Sequence, residues 1–368
     1  MSQKPPPPQF QLGGQALIEG VMMRSPHYVG AAVRCPDGHI ETRLEAFQPL
    51  IVTKKYLNLP LVRGVFGLFE MLALGMKYLQ WSGNVALAEG EKKEAGDSGL
   101  EAGNGEVVTT PASTHAVAGG AETPASSETH AQPPASSSQS LPLWLFLLTV
   151  AGSLGLGFCI FVMMPNLIAD WTLRHYTSNL VALNLFEGCV KLTFLVIYIW
   201  LIGLRKNIRR VFEYHGAEHK VVYAAENHLP LTPENARPFD TPHPRCGTGF
   251  ALLTVFVSIA CFLCLPWPDE HWLRIGWRFM LMPLVAGISY EIIKLTVNPQ
   301  LGGLAKLVLI PGMWLQRLST RQPDDSQLEV ACVAMQIVID AEQKRAQQTA
   351  NPQNQQETPD LLNATAGL

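Results

Sequence analysis

The sequence predicts an all-α, multi-pass membrane protein: about four transmembrane helices, interfacial helices beside them and a small cytoplasmic β element. Three observations lead there. Of the 368 residues only 15% are charged and 48% are hydrophobic, whereas a soluble chain carries about a quarter charged residues. Four apolar stretches are long enough to cross a bilayer, which takes about 20 residues at 1.5 Å each. Away from them, short β-like runs surround a good hairpin turn.

In chain order, MSQKPPPPQF is polar and proline-rich with no signal-peptide core after it, and 1–12 is expected as a disordered tail. Residues 13–87 should hold the β element and an interfacial helix. VGAAVRCPDGHIETRLEAF (29–47) shows short β-like runs around Pro36-Asp37-Gly38 and reads as the β element, and Met22-Met23 before it reads as packing. LPLVRGVFGLFEMLALGMKYLQW (59–81) is apolar but carries Arg63, Glu70 and Lys77, so it should lie in the interface. From 88 to 140 small and polar residues dominate. Such a segment cannot bury enough apolar surface to offset its ordering entropy, and it reads as a disordered linker.

The membrane domain, 141–341, opens with LPLWLFLLTVAGSLGLGFCIFVMM (141–164), which has no charged residue. LVALNLFEGCVKLTFLVIYIWLIGL (180–204) follows; its Glu187 and Lys191 stand four apart and are expected to neutralise each other. The third and fourth spans are expected at 247–267 and 274–297. Trp144, Trp200, Trp267 and Trp277 fall near the span ends, where interfacial tryptophans gather. The segment 301–318, broken by Pro311 and Gly312, reads as a second interfacial or re-entrant helix. The tail 342–368, rich in Gln, Asn and Thr, should be disordered.

Basic residues set the orientation. RKNIRR (205–210) follows the second span, whereas 165–179 has only Arg174. The positive-inside rule puts 205–246 and both termini in the cytoplasm and 165–179 outside. The seven cysteines form no CxxC pair, and Cys159, Cys189, Cys261 and Cys264 lie in apolar runs, so reduced thiols are expected. A formal net charge of −3 gives no reason to expect nucleic acid as a partner.

The chemistry concentrates in YHGAEHK (214–220), within a helix expected over 205–226. His215 and His219 stand four apart on one helix face, close enough to reach one metal ion, and Glu218 sits beside them as a general base for a bound water. The order is H-x-x-E-H, the inverse of the commoner zinc-protease motif. A catalytic zinc has three protein ligands and an open position. Glu291, in ISYEIIK near the end of the fourth span, is one candidate for the third, because a carboxylate in a membrane helix is costly. HPRCGTGF (243–250) offers the others: His243 and Cys246 together would close a four-coordinate structural site, and Cys246 alone would complete a His₂Cys catalytic site. The competing account is a solvated face in which Glu218 pairs with Lys220, Arg209 or Arg210.

The blocks GGQALIEGVMMR (13–24), AVRCPDGHI (32–40), IRRVFEYHGAEHK (208–220), HPRCGTGF (243–250), PLVAGISYEIIK (283–294) and PGMWLQRLSTRQPDDSQLEVA (311–331) together resemble the YqhQ-like family of bacterial integral membrane proteins (domain of unknown function 1385). The resemblance covers the chain except its tails and the linker. It implies a bacterial inner-membrane location and a predicted metal-dependent enzyme. By position it implies a motif set of Glu19, Arg24, His215, Glu218, His219, His243, Arg245, Cys246 and Glu291. The chain departs from the family in its long linker and at Gly249, where a bulkier polar residue is usual.

The first functional expectation is a hydrolase using zinc or another divalent metal at the cytoplasmic membrane face. His215 and His219 would bind the metal, Glu218 would act as base, Glu291 or Cys246 would complete the site, and Arg245 would stabilise developing negative charge. A lipid-linked or membrane-protein substrate follows from a site near the interface. The second is a non-enzymatic assembly or scaffold protein with a closed metal site or polar network. The third, a transporter using Glu187, Lys191 and Glu291, is weakened by four spans without a repeat.

Overall fold

The computed structural model describes residues 12–97, 143–296 and 302–350. The chain opens with an antiparallel meander of four strands, β1 (Gly13–Leu17), β2 (Gly20–Arg24), β3 (Tyr28–Arg34) and β4 (Ile40–Ala46), in the order β1-β2-β3-β4. The sheet is larger than the element expected at 29–47, so the all-α expectation needs correcting. The reason is burial. β2 and β3 are covered on both faces and therefore lack a polar alternation that a sequence could display. Met22 packs with Tyr78 on one face, and Met23 packs with Tyr214 on the other. The hairpin at Pro36-Asp37-Gly38 forms as expected: the Gly38 amide donates to the Cys35 carbonyl, and Gly38 takes a φ of 97° that favours glycine.

A single turn, α1 (Leu50–Thr53), leads to α2 (Val62–Asp97). α2 lies over the Met22 face of the sheet at Gly75, where an added Cβ would stand 2.4 Å from the Gln15 side chain. The helix leaves Phe66, Phe69 and Leu72 exposed. The other sheet face is covered by α6 (Lys206–Glu226) and α11 (Asp325–Ala350). α11 starts from a reciprocal cap: the Gln327 amide donates to Asp324 Oδ1, and the Asp324 amide donates to Gln327 Oε1. α2 and α11 run on past 88 and 342, where composition places the start of the linker and the tail; the remainder of both segments lies outside the described residues.

Among the described residues three helical stretches are long and apolar enough to cross a membrane: Leu148–Thr172, Leu180–Ile202 and His271–Thr296. The first is continuous through α3 (Leu143–Phe158), a π-helical turn (Cys159–Met163) and α4 (Met164–Thr172). It therefore extends eight residues beyond the expected end at 164, into the segment expected as an external connection. The others are α5 (Leu180–Ile202) and α9 (His271–Thr296). The third expected span is instead a shorter apolar helix, α8 (Gly247–Leu263), reached through the short α7 (Pro233–Ala236). α10 (Gly302–Ser319) runs straight through Pro311-Gly312. Gly312 lets α10 meet α8, since an added Cβ would fall 2.8 Å from the Gly249 Cα.

The charges inside the bundle are partnered. Lys191 Nζ stands 3.6 Å from Glu187 Oε1, as the spacing predicts, but the main partner of Glu187 is Arg278 of α9, through both guanidinium nitrogens. Asn166 also donates to Glu187. Trp267 is not interfacial: it is buried, its indole N–H donates to Asp170 Oδ1, and Arg274 and Arg278 lie against its ring.

The sheet is pinned to α11 by Glu342, whose carboxylate accepts from the His27 amide at 3.0 Å and faces His27 Nδ1 at 3.1 Å. Burial would raise this carboxyl, but hydrogen bonds from Ser25 and His27 outweigh it and hold the group below its ordinary value. A depressed carboxyl stabilises the fold above its unfolded pKa, and that contribution fades as pH falls through the folded value. Glu342→Gln is expected to cost roughly 1–2 kcal/mol at pH 7. Thermal unfolding in detergent should show the gap to the parent protein closing below about pH 4. A gap that stays constant down to pH 3 would refute the ionic role.

Candidate metal centre

The motif helix α6 is not a solvated face. Tyr214, Glu218, His219 and Lys220 are all buried, because the sheet, α11 and the 227–246 loop close round the helix. Lys220 donates to the Arg237 and Phe239 carbonyls rather than pairing with Glu218. Arg209 pairs with Glu213, and Arg210 holds Glu19 at the β1–β2 turn. Glu19, at φ 53°, thus clamps a strained turn onto α6.

Both motif histidines spend Nδ1 on backbone. His215 Nδ1 donates to the Ser319 carbonyl at 2.9 Å, and His219 Nδ1 donates to the Thr241 carbonyl. A neutral imidazole that donates through Nδ1 presents a lone pair at Nε2, the arrangement that fixes ring and tautomer in metal sites. Burial pushes the His219 imidazolium down, which favours that neutral ring. His219 Nε2 is buried without a hydrogen-bond partner among the described residues. His215 Nε2 lies 3.1 Å from Cys246 Sγ, and one ring nitrogen of each histidine and the sulfur fall within 4.8 Å of one another. Tetrahedral zinc spaces nitrogen and sulfur ligands roughly 3.3–3.8 Å apart, so this donor set fits such an ion with small side-chain rotations.

Cys246 caps α8, its sulfur accepting from the Thr248 amide. His243 is close but turned differently. Its Nδ1 accepts from the Arg245 amide at 3.2 Å, which leaves the proton on Nε2, and Nε2 faces Glu226 Oε1 at 3.5 Å. The structure therefore brings three of the five expected ligands together and keeps His243 as a neighbour. Glu291 is outside the group: its carboxylate is held by Arg63 of α2 and the Leu61 amide, tying α2 to α9. Arg245 is paired with Glu226. A second trio, Cys35, His39 and Glu41, lies at the β3–β4 hairpin, where His39 is exposed and already bonded to Asp37.

Glu218 is buried behind the trio. Burial raises its carboxyl above the ordinary value, against the fields of His215 and His243 and a hydrogen bond with the Gly14 backbone. Gly14 leaves room for it, since an added Cβ would stand 2.9 Å from Glu218 Cγ. His215, Glu218, His219, His243 and Cys246 line one cavity of about 840 Å³, which runs over Gly13-Gly14 to Arg24, Met71 and Leu72.

Residues that pattern reading passed over hold the arrangement. Gln316 of α10 accepts from the His243 amide and donates to its carbonyl. Thr320 donates to Thr241, whose own carbonyl orients His219. Gly216 lets the Arg321 carbonyl reach α6, where an added Cβ would come within 2.0 Å of it. The one signal available beforehand was a glycine inside a helical motif.

Residues 59–341 match the model of a family described as "Protein of unknown function (DUF1385)". The chain belongs to this family. Over 337 residues it is 34% identical to a Bacillus subtilis (strain 168) protein described as "Uncharacterized protein YqhQ", covering 90% of this chain and 92% of that relative. No solved structure matches. The expected family is thus borne out, whereas neither description supplies a metal or an activity.

Gly216→Ala is expected to destabilise the protein by roughly 3 kcal/mol or more through overpacking against backbone. It should also displace Ser319 and with it the His215 ring. Gly249→Ala, whose Cβ would find its nearest neighbours at 3.7 and 3.8 Å, is the control, expected to be neutral or stabilising by about 0.5–1 kcal/mol. Thermal unfolding of the two variants checks the difference.

Proposed function

We propose that the protein is a zinc-dependent hydrolase working at the cytoplasmic face of the bacterial inner membrane. One observation supports this above the others. His215 Nε2, His219 Nε2 and Cys246 Sγ converge on the wall of a cavity, with a buried carboxyl beside them. Three ligands with space in front of them suit catalysis, where a structural zinc site takes four. His215, His219 and Cys246 would hold the ion, which when bound supplies Lewis acidity at neutral pH.

The chain's own groups provide the rest. Glu218, a carboxyl on the same cavity wall beside the histidines, is suited to accept a proton from water and return it to a leaving group. The Ser319 and Thr241 carbonyls keep both rings oriented through the cycle. His243, whose Nδ1 accepts from the Arg245 amide and whose Nε2 faces Glu226, is suited to hydrogen-bond within the cavity wall rather than to ligate. The Arg245 role expected for developing negative charge is weakened by its pairing with Glu226.

Purified full-length protein is expected to carry about one equivalent of zinc, lost in His219→Ala and Cys246→Ala. Glu218→Gln should keep the metal yet fail to restore function to cells lacking the protein. Full function in Glu218→Gln, together with unfolding of His219→Ala, would instead establish a structural centre in a scaffold protein.

A further inference from the structure

Arg24 ends β2 opposite Gly13. Period two puts its side chain on the Met22 face, toward α2. The guanidinium lies 4.3 Å from the centroid of the Phe47 ring and touches the Met71 sulfur. The side chain is half-buried, and burial lowers the guanidinium from its ordinary range, although an arginine still keeps its proton. Glu70 is the acid whose field it feels most, yet the Glu70 carboxylate is bonded to the Leu50 amide at 2.8 Å. Among the described residues Arg24 has no ion-pair partner, whereas Arg63, Arg210 and Arg245 hold Glu291, Glu19 and Glu226.

A cation taken from water without a counter-charge is costly, and this one stands in the wall of the cavity that contains the histidines. The same wall is apolar along Leu68, Met71 and Leu72 of α2. Leu72 is 54% exposed and Phe69 65%, so the cavity edge is continuous with the bare outer face of α2. Gly13 adds no side chain to the floor between the two ends, and a Cβ there would meet open space. The cavity therefore presents a partly buried cluster of candidate metal ligands, a guanidinium with no ion-pair partner among the described residues, and an apolar edge.

We propose that this cavity binds an anionic amphiphile, with its acidic oxygens on the fork of Arg24 and its apolar chain along Leu68, Met71 and Leu72. A guanidinium matches phosphate or carboxylate oxygens in a bidentate manner. The inference rests on reading this cavity as the substrate site and gives that site its substrate class: a membrane-derived molecule with an acidic head.

The test is direct binding to the full-length protein in neutral detergent, using fluorescent phosphatidic acid as probe. Unlabelled phosphatidic acid, phosphatidylcholine and inorganic phosphate serve as competitors. Phosphatidic acid should compete, and the other two should not at equal concentration. Arg24→Gln should weaken binding at least about tenfold, the loss of a charge-assisted pair, with Arg24→Lys falling between. Leu72→Asn, at the exposed edge, should also weaken the lipid and serves if Arg24→Gln does not fold. Equal binding by parent and Arg24→Gln protein overturns the proposal, and so does complete competition by inorganic phosphate. The same measurements on chelator-treated protein and on Glu218→Gln read the anchor separately. Binding kept there alongside a failed metal assay would sink the hydrolase reading and leave this one standing.

Discussion

Burial of the polar face of α6 is the constraint on which the rest of the molecule depends. A helix carrying His215, Glu218, His219 and Lys220 would ordinarily show them to water, but here the sheet, α11 and the end of α10 close over them. Buried polar groups need partners. Lys220 and both imidazole Nδ1 atoms find them in main-chain carbonyls of the Arg237–Thr241 loop and Ser319. With Nδ1 committed, His215 turns Nε2 toward Cys246 at the cap of α8, and Glu218 lies beside His219 Nε2. Glycines make the enclosure possible where backbone comes closest, Gly216 against Arg321 and Gly14 against Met22 and Glu218.

This assembly of sheet, α6 and α11 is joined to the apolar helices by a few specific contacts. Arg63 and Gly64 of α2 meet Glu291 and Tyr290 of α9. α10 crosses α8 at Gly312-Gly249, then delivers Gln316 to the backbone of His243. The charges among the apolar helices belong to a different network: Glu187 is surrounded by Arg278, Lys191 and Asn166, and Asp170 by Arg174 and Arg274. Glu291 takes no part in it, so the three residues that a transport pathway would use do not form one chain of groups.

Much of this was legible from residues alone where the signal is local. The apolar runs of α3–α4, α5 and α9 were visible because a bilayer demands length and hydrophobicity together. The Pro36-Asp37-Gly38 turn was visible because glycine marks a positive φ. β2 was hidden, since a strand covered on both faces shows no alternation. The span at 247–267 read longer than α8 because Cys264–Trp267 is apolar yet leaves the helix, with Trp267 buried beside Arg274 and Arg278 instead of facing lipid. Pro311-Gly312 read as a break, but a glycine that admits a neighbouring helix and a proline that its helix tolerates look the same in one dimension.

The candidate site divides in the same way. Spacing by itself determined that His215 and His219 share a helix face with Glu218 between them, because four residues are close to one turn. Which residue joins them was a tertiary decision. Glu291, His243 and Cys246 were equivalent by residue type, and only the packing of α2 on α9 directs Glu291 to Arg63. Only the Arg245 amide turns the His243 proton toward Glu226, and only the cap of α8 places the Cys246 sulfur against His215. A ligand set is a statement about distances between distant parts of the chain, and those distances are set by what each side chain must otherwise leave unpaired.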